Sequence, residues 1–165
     1  MEELLYDKVM AEFFLQNNEI ILRLVIAVVL GMLIGAERLL VHKEAGMKTH
    51  ALVSMGAALF ILISEELTAK YINLVGLNPA MMASQVIVGI GFLGAGFIIH
   101  NGSHPLGLTT AAGFWVTAGI GMAAGFGFFS LAIVSTILVL LIFIAMNIFE
   151  KPIKKISDNI DQARS

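Results

Sequence analysis

Long apolar runs separated by short polar clusters set the frame of this chain. Residues 20–36 are apolar apart from Arg23 and lead into a charged stretch, GAERLLVHKEAGMKTH, residues 35–50. A second apolar run covers 50–64 and a third 80–99, and residues 106–149 form an uncharged run more than twice as long as one spanning helix. A helix needs about 20 largely apolar residues to cross a bilayer. The glycine-rich GFGFFS, residues 125–130, therefore divides the last run into two. The pattern predicts an all-α, polytopic membrane helix bundle of about five transmembrane helices, near 20–36, 50–64, 80–99, 107–125 and 129–149. The second run is the shortest, so a re-entrant helix stands as an alternative for it.

Composition agrees. Only 13% of the 165 residues are charged, against about 25% in soluble domains, and no Asp, Glu, Lys or Arg occurs from 71 to 149. A soluble enzyme or nucleic-acid binder is excluded, and the lipid bilayer is the first partner. The absence of cysteine rules out disulfides and thiolate-held metals. Segment 1–19 lacks the basic start and cleavage site of a signal peptide and reads as a surface-lying N-terminal segment.

Basic residues stay on the cytoplasmic side of short loops. With five spans, Arg38, Lys43 and Lys48 share a side with Lys151, Lys154, Lys155 and Arg164, leaving Lys8 and Lys70 opposite. That predicts an outside N-terminus and a basic cytoplasmic tail over 150–165. It also brings the 37–49 loop to the same side as the connection carrying His100 and His104.

Several small residues recur at helical spacing. Gly31 and Gly35 form a GxxxG, and Gly113, Thr117, Gly121 and Gly125 form a ladder in steps of four. Both read as helix-packing seams, within or between subunits. Gly89, Gly91 and Gly94 match GxGxxG, but inside an apolar helix with Phe114 where an acid would be needed, so a dinucleotide site is rejected. They read as packing positions, or as a break that exposes backbone carbonyls.

Polar groups inside apolar runs need partners. Arg23 either snorkels to the surface or pairs with a carboxylate or carbonyls. Ser84, Gln85 and Asn147 are further intramembrane polar residues. The imidazoles, His42, His50, His100 and His104, lack the spacing of a zinc helix, and no nucleophile pattern is legible. Glu37 stands out because the dipole at a helix C-terminus opposes an anion. Arg38, Lys48 or His50 would have to balance it, unless it binds a cation. A candidate polar site near the cytoplasmic face follows: Glu37, Arg38, Lys48, Thr49, His50, His100, Thr109 and Thr110.

The same residues carry a resemblance. GAERLLVHKEAGMKTHALVSMGAALF, then ASQVIVGIGFLGAGFI, then GLTTAAGFWVTAGIGMAAG resemble in order three blocks of the MgtC/SapB family of bacterial membrane proteins. The likeness spans roughly residues 20–145 and points to Arg23, Gly35, Glu37, Arg38, Ala45, Gly46, Thr49, His50, Gln85, Gly89, Gly91, Phe92, Gly94, Gly96, Leu108, Thr109, Thr110, Ala111 and Trp115. Lys48, Asn78, Met81 and His100 depart from its usual residues, and the soluble C-terminal domain of longer members is not expected. The resemblance implies a multi-pass bacterial inner-membrane protein linked to magnesium limitation and, in pathogens, to virulence. Three roles are open: binding or regulating other membrane proteins, transport of Mg²⁺ or another solute, and a homo-oligomeric scaffold. Mg²⁺ is the one ion the resemblance suggests; no other cofactor is expected.

Overall fold

The computed structural model describes residues 17–43, 45–71, 78–101 and 104–162. Five helices follow in chain order: α1 (Asn18–Leu40), α2 (Met47–Lys70), α3 (Pro79–Gly96), α4 (Leu108–Gly125) and α5 (Phe129–Gln162). Between α3 and α4 a two-stranded antiparallel hairpin pairs β1 (Ile99–Asn101) with β2 (His104–Leu106). Four of the helices carry apolar stretches long enough to cross a membrane, and the apolar stretch of α3, Ala80–Gly96, is shorter. The molecule is a polytopic membrane helix bundle. Residues 1–16, most of the expected surface segment, lie outside the described part.

Helix ends depart from the apolar runs in an instructive way. The second run, expected over 50–64, belongs to a helix of 24 residues, roughly 36 Å long at 1.5 Å per residue. It continues through Glu65 and Glu66 and has the length to cross. The helix at the end of the chain likewise runs on from 149 to Gln162. Hydropathy marks where lipid stops, whereas a helix ends only when its backbone is diverted. The third helix shows the reverse: it ends at Gly96, and residue 99 joins the hairpin.

Each diversion has a local cause. α3 opens at Asn78, whose side chain accepts from the Ala80 N–H at 2.9 Å, with Pro79 pre-set at the first helical position. Two helices close with paired bonds that satisfy their last carbonyls. At the end of α4, Gly127 N–H bonds Ala124 O and Phe128 N–H bonds Ala123 O, with Gly127 at φ +74°. The end of α1 repeats this: His42 N–H bonds Leu39 O, and Lys43 N–H bonds Arg38 O. Here the left-handed position is held by a histidine, at φ +56°.

The core is the packing of α2 between α1 and α4. A Cβ on Gly31 would stand 2.6 Å from His50 O, and one on Gly35 would stand 2.5 Å from Met47 Cα. On α4 a Cβ at Gly121 would reach within 2.1 Å of Ser54 O, and one at Gly125 within 2.9 Å of Ala58 Cα. Both small-residue seams are thus filled inside one chain. Ala27, Leu30, Ile34, Ala58, Ile120 and Ala124 complete this interior. In contrast α3 lies at the periphery: Phe92 is 82% exposed, and Cβ atoms at Gly89 and Gly91 would meet nothing within 4 Å. The packing expected of these two glycines is not made within the chain, although Gly94 does approach Ala111 of α4.

Candidate functional site

The end of α1, the start of α2, the start of α4 and a middle turn of α5 converge at one end of the bundle. Glu37 and Arg38 form a side-chain ion pair and are both buried, Arg38 to 2% exposure. Asn147 of α5 donates from Nδ2 to the other Glu37 oxygen at 2.6 Å. The Arg38 guanidinium lies 3.6 Å from the centroid of the Phe143 ring, a cation–π contact from the same helix. Adjacent residues on α1 are therefore tied to α5 by two different forces.

One layer away, His50 is fully buried and stacks on Phe114 at 4.8 Å between ring centroids with the planes 3° apart; Phe97 also stacks on Phe114, at 4.8 Å. His50 Nδ1 lies 2.9 Å from Thr117 Oγ1, and that hydroxyl donates its only proton to Gly113 O at 2.7 Å. Hence the imidazole must donate from Nδ1, which leaves Nε2 as the acceptor nitrogen. Nε2 of His50 and Oγ of Ser54 are buried with no hydrogen-bond partner among the described residues.

Of the residues picked out from sequence, Glu37, Arg38, His50 and Thr110 are buried at this end. Thr109 lines a neighbouring open-sided cavity of about 470 Å³ between α4 and α5, together with Arg38, Lys43 and Asn147. Lys48 and Thr49 are exposed and face other grooves: Lys48 borders the one between α1 and α2, and Thr49 that groove and another, of about 550 Å³, between α2 and α3. Gln85 also lines the α2–α3 groove. The His100 backbone lies in β1, and its side chain is outside the described part. Thr117, Phe114 and Phe143 were not singled out as site residues, and Asn147 was recognised only as a polar group in need of a partner. Thr117 carried a signal in its hydroxyl, masked by its place in the small-residue ladder. The phenylalanines carried none, since eleven such rings populate the chain.

At the opposite end Arg23 is paired rather than snorkelled. Its guanidinium donates to Glu65 at 2.6 Å, Glu19 at 2.5 Å and Gly125 O at 2.8 Å. Among the described residues no group of three or more His, Cys, Asp or Glu side chains is placed to hold a metal ion.

The class of protein is thereby defined: a multi-pass membrane protein whose charges are assembled into side-chain clusters at the two ends of a helix bundle, one buried and one partly exposed. Residues 24–152 match the MgtC family, and the chain belongs to it as a multi-pass inner-membrane protein. It is 44% identical over 126 residues to "Putative magnesium transporter YhiD" of Escherichia coli K12, covering 75% of this chain and 59% of that protein. It is 46% identical over 120 residues to "Protein MgtC" of Salmonella typhimurium LT2, covering 73% and 49%. An uncharacterized protein of Haemophilus influenzae is 41% identical over 122 residues, covering 72% and 51%. The match thus spans about half to three-fifths of the length of these relatives. No solved structure matches.

Proposed function

We propose that this protein serves adaptation to magnesium limitation by binding and regulating other membrane proteins, as a non-catalytic component and not as a conduit for Mg²⁺. The family membership and the magnesium-related name of one relative support the physiological setting. The observation that carries the regulatory reading is the state of Glu37. One of its oxygens serves Arg38 and the other serves Asn147, so the buried carboxylate is committed to holding helices together. Mg²⁺ prefers several carboxylate and water oxygens in octahedral array, and a carboxylate already neutralised by a buried guanidinium offers it little.

The test is flux. Purified protein in proteoliposomes is expected to give no saturable Mg²⁺ uptake above empty vesicles, while deletion of the gene impairs growth at low magnesium. Saturable uptake that disappears in Glu37→Ala would overturn the regulatory reading in favour of transport. Co-purification of a specific membrane protein under magnesium limitation, lost when the α3 face is altered, would support it.

A further inference from the structure

The cavity between α4 and α5 is amphiphilic along its length. Its polar lining, Arg38, Lys43, Thr109 and Asn147, lies where α1 ends and α4 begins, and its apolar lining continues along the two helices through Val116, Val139 and Ile142. From Thr109 to Val116 the wall runs about 10 Å along the helix. The volume, about 470 Å³, lies in the range of about 300–1,000 Å³ that suits a single small ligand and is too small for a docked helix. Among the described residues no carboxylate lines it. Glu37, the acid beside Arg38, is turned toward its own partners.

Two features place positive charge at the polar end of this lining. At the end of α1 the left-handed His42 reverses the chain, and the Lys43 N–H returns to Arg38 O at 3.0 Å. Lys43 is exposed there and lines both this cavity and the groove between α1 and α2. α4 starts at Gly107 with no side-chain cap, and Leu108 and Thr109 of its first turn line the same cavity, so the positive pole of the helix lies at this end. Arg38 is already matched by Glu37, and Lys43 adds a second cation to the lining.

We propose that this cavity is a binding site for an anionic phospholipid, with the phosphate held by Lys43 and the first turn of α4 and part of one acyl chain lying along Val116, Val139 and Ile142. Charge complementarity selects the headgroup, and the apolar lining along α4 and α5 selects a lipid over a soluble anion. Basic pockets between membrane helices recognise anionic headgroups in this way.

Native mass spectrometry of the full chain, purified in detergent and offered phosphatidylglycerol or phosphatidylcholine, tests the assignment. Phosphatidylglycerol should be retained preferentially at one site per chain. Lys43→Gln should weaken that retention about fivefold, as expected for one lysine near a membrane surface. Ala112→Phe, at an exposed position lining the cavity, should abolish it by filling the groove. Lys48→Gln, which lies outside the cavity, should leave it unchanged. Equal retention of both lipids would overturn the proposal. So would an equal loss in Lys43→Gln and Lys48→Gln, which would mean general surface attraction, or full displacement by glycerol phosphate, which would mean a headgroup-only anion site. Unfolding temperatures of all three variants close to that of the parent protein are expected, and retention is compared at matched folded fraction.

Discussion

Glu37 occupies a position that helix electrostatics disfavour, and its neighbours explain why it is kept. The negative pole of α1 is offset by the Arg38 guanidinium and by a hydrogen bond from Asn147. Removing one member of such a buried pair leaves the other uncompensated, at a cost of about 3–5 kcal/mol. Glu37→Gln should therefore lower stability in detergent sharply, whereas Glu37→Gln combined with Arg38→Gln should cost less than that single change; thermal unfolding of the three proteins decides the matter. The buried imidazole gives a milder case. Thr117→Val keeps the shape of the side chain but leaves the His50 Nδ1–H without its acceptor, an expected loss of about 1–3 kcal/mol. Thr117→Ser should restore most of it, and equal unfolding temperatures for Val and Ser would mean that the bond contributes nothing. At this scale sequence reasoning went far with Glu37, Arg38 and His50, because charged or imidazole groups beside apolar runs demand partners. Arg38 stood among the candidates to balance Glu37 and does pair with it, whereas Asn147 was not among them. Asn147 is 110 residues away from Glu37, and pairing over such a separation is decided by which helices touch.

Among the elements, α2 and α3 are opposites. α2 is enclosed by α1 and α4 at glycine contacts too close for any side chain, while α3 leaves Gly89, Gly91 and Phe92 uncovered, Gly89 along its open groove with α2. Glycine in a helix interior costs roughly 0.5–1 kcal/mol relative to alanine where no contact requires it. Gly89→Ala is accordingly expected to raise or preserve stability, and Gly121→Ala to lower it by about 1–3 kcal/mol as the helices are forced apart. Chemical or thermal unfolding separates these outcomes. If Gly89→Ala folds normally but lowers function at low magnesium, the open groove between α2 and α3 is a contact surface for another chain. Both glycine patterns were visible in the sequence and looked alike there. Spacing identifies a thin helix face, but only the arrangement of neighbours tells whether that face is filled.

Across the whole molecule, the two charged clusters work at opposite ends and unequally. Arg23 is shared among Glu65, Glu19 and the Gly125 carbonyl, and it is partly exposed. Loss of one carboxylate should be absorbed by the others, so Glu65→Gln is expected to cost no more than about 1 kcal/mol, far less than Glu37→Gln. An equal drop in unfolding temperature for the two changes would refute the contrast. The helical class, the number of apolar elements and the turn at residues 125–130 were legible because hydropathy and glycine punctuation act locally. The continuation of α2 to Lys70, the early end of α3 and the hairpin were not, since each depends on where the backbone is diverted and not on how apolar it is.

The central place of α4 also bears on how the chain is made. Over half of its 18-residue apolar window is buried by neighbouring helices, against 11% for the window of α5, and its interior is rich in Gly, Ala and Thr. Such residues gain little from contact with acyl chains and favour helix–helix packing instead. During synthesis α4 therefore has weak reason to leave the translocation machinery on its own, and strong reason to do so once α1 and α2 stand ready with a complementary groove. Its partitioning would then be a cooperative event, directed by segments already in the bilayer. A reporter carrying α4 alone should insert poorly, and one carrying α1 through α4 should insert well, with Gly121→Leu abolishing the difference.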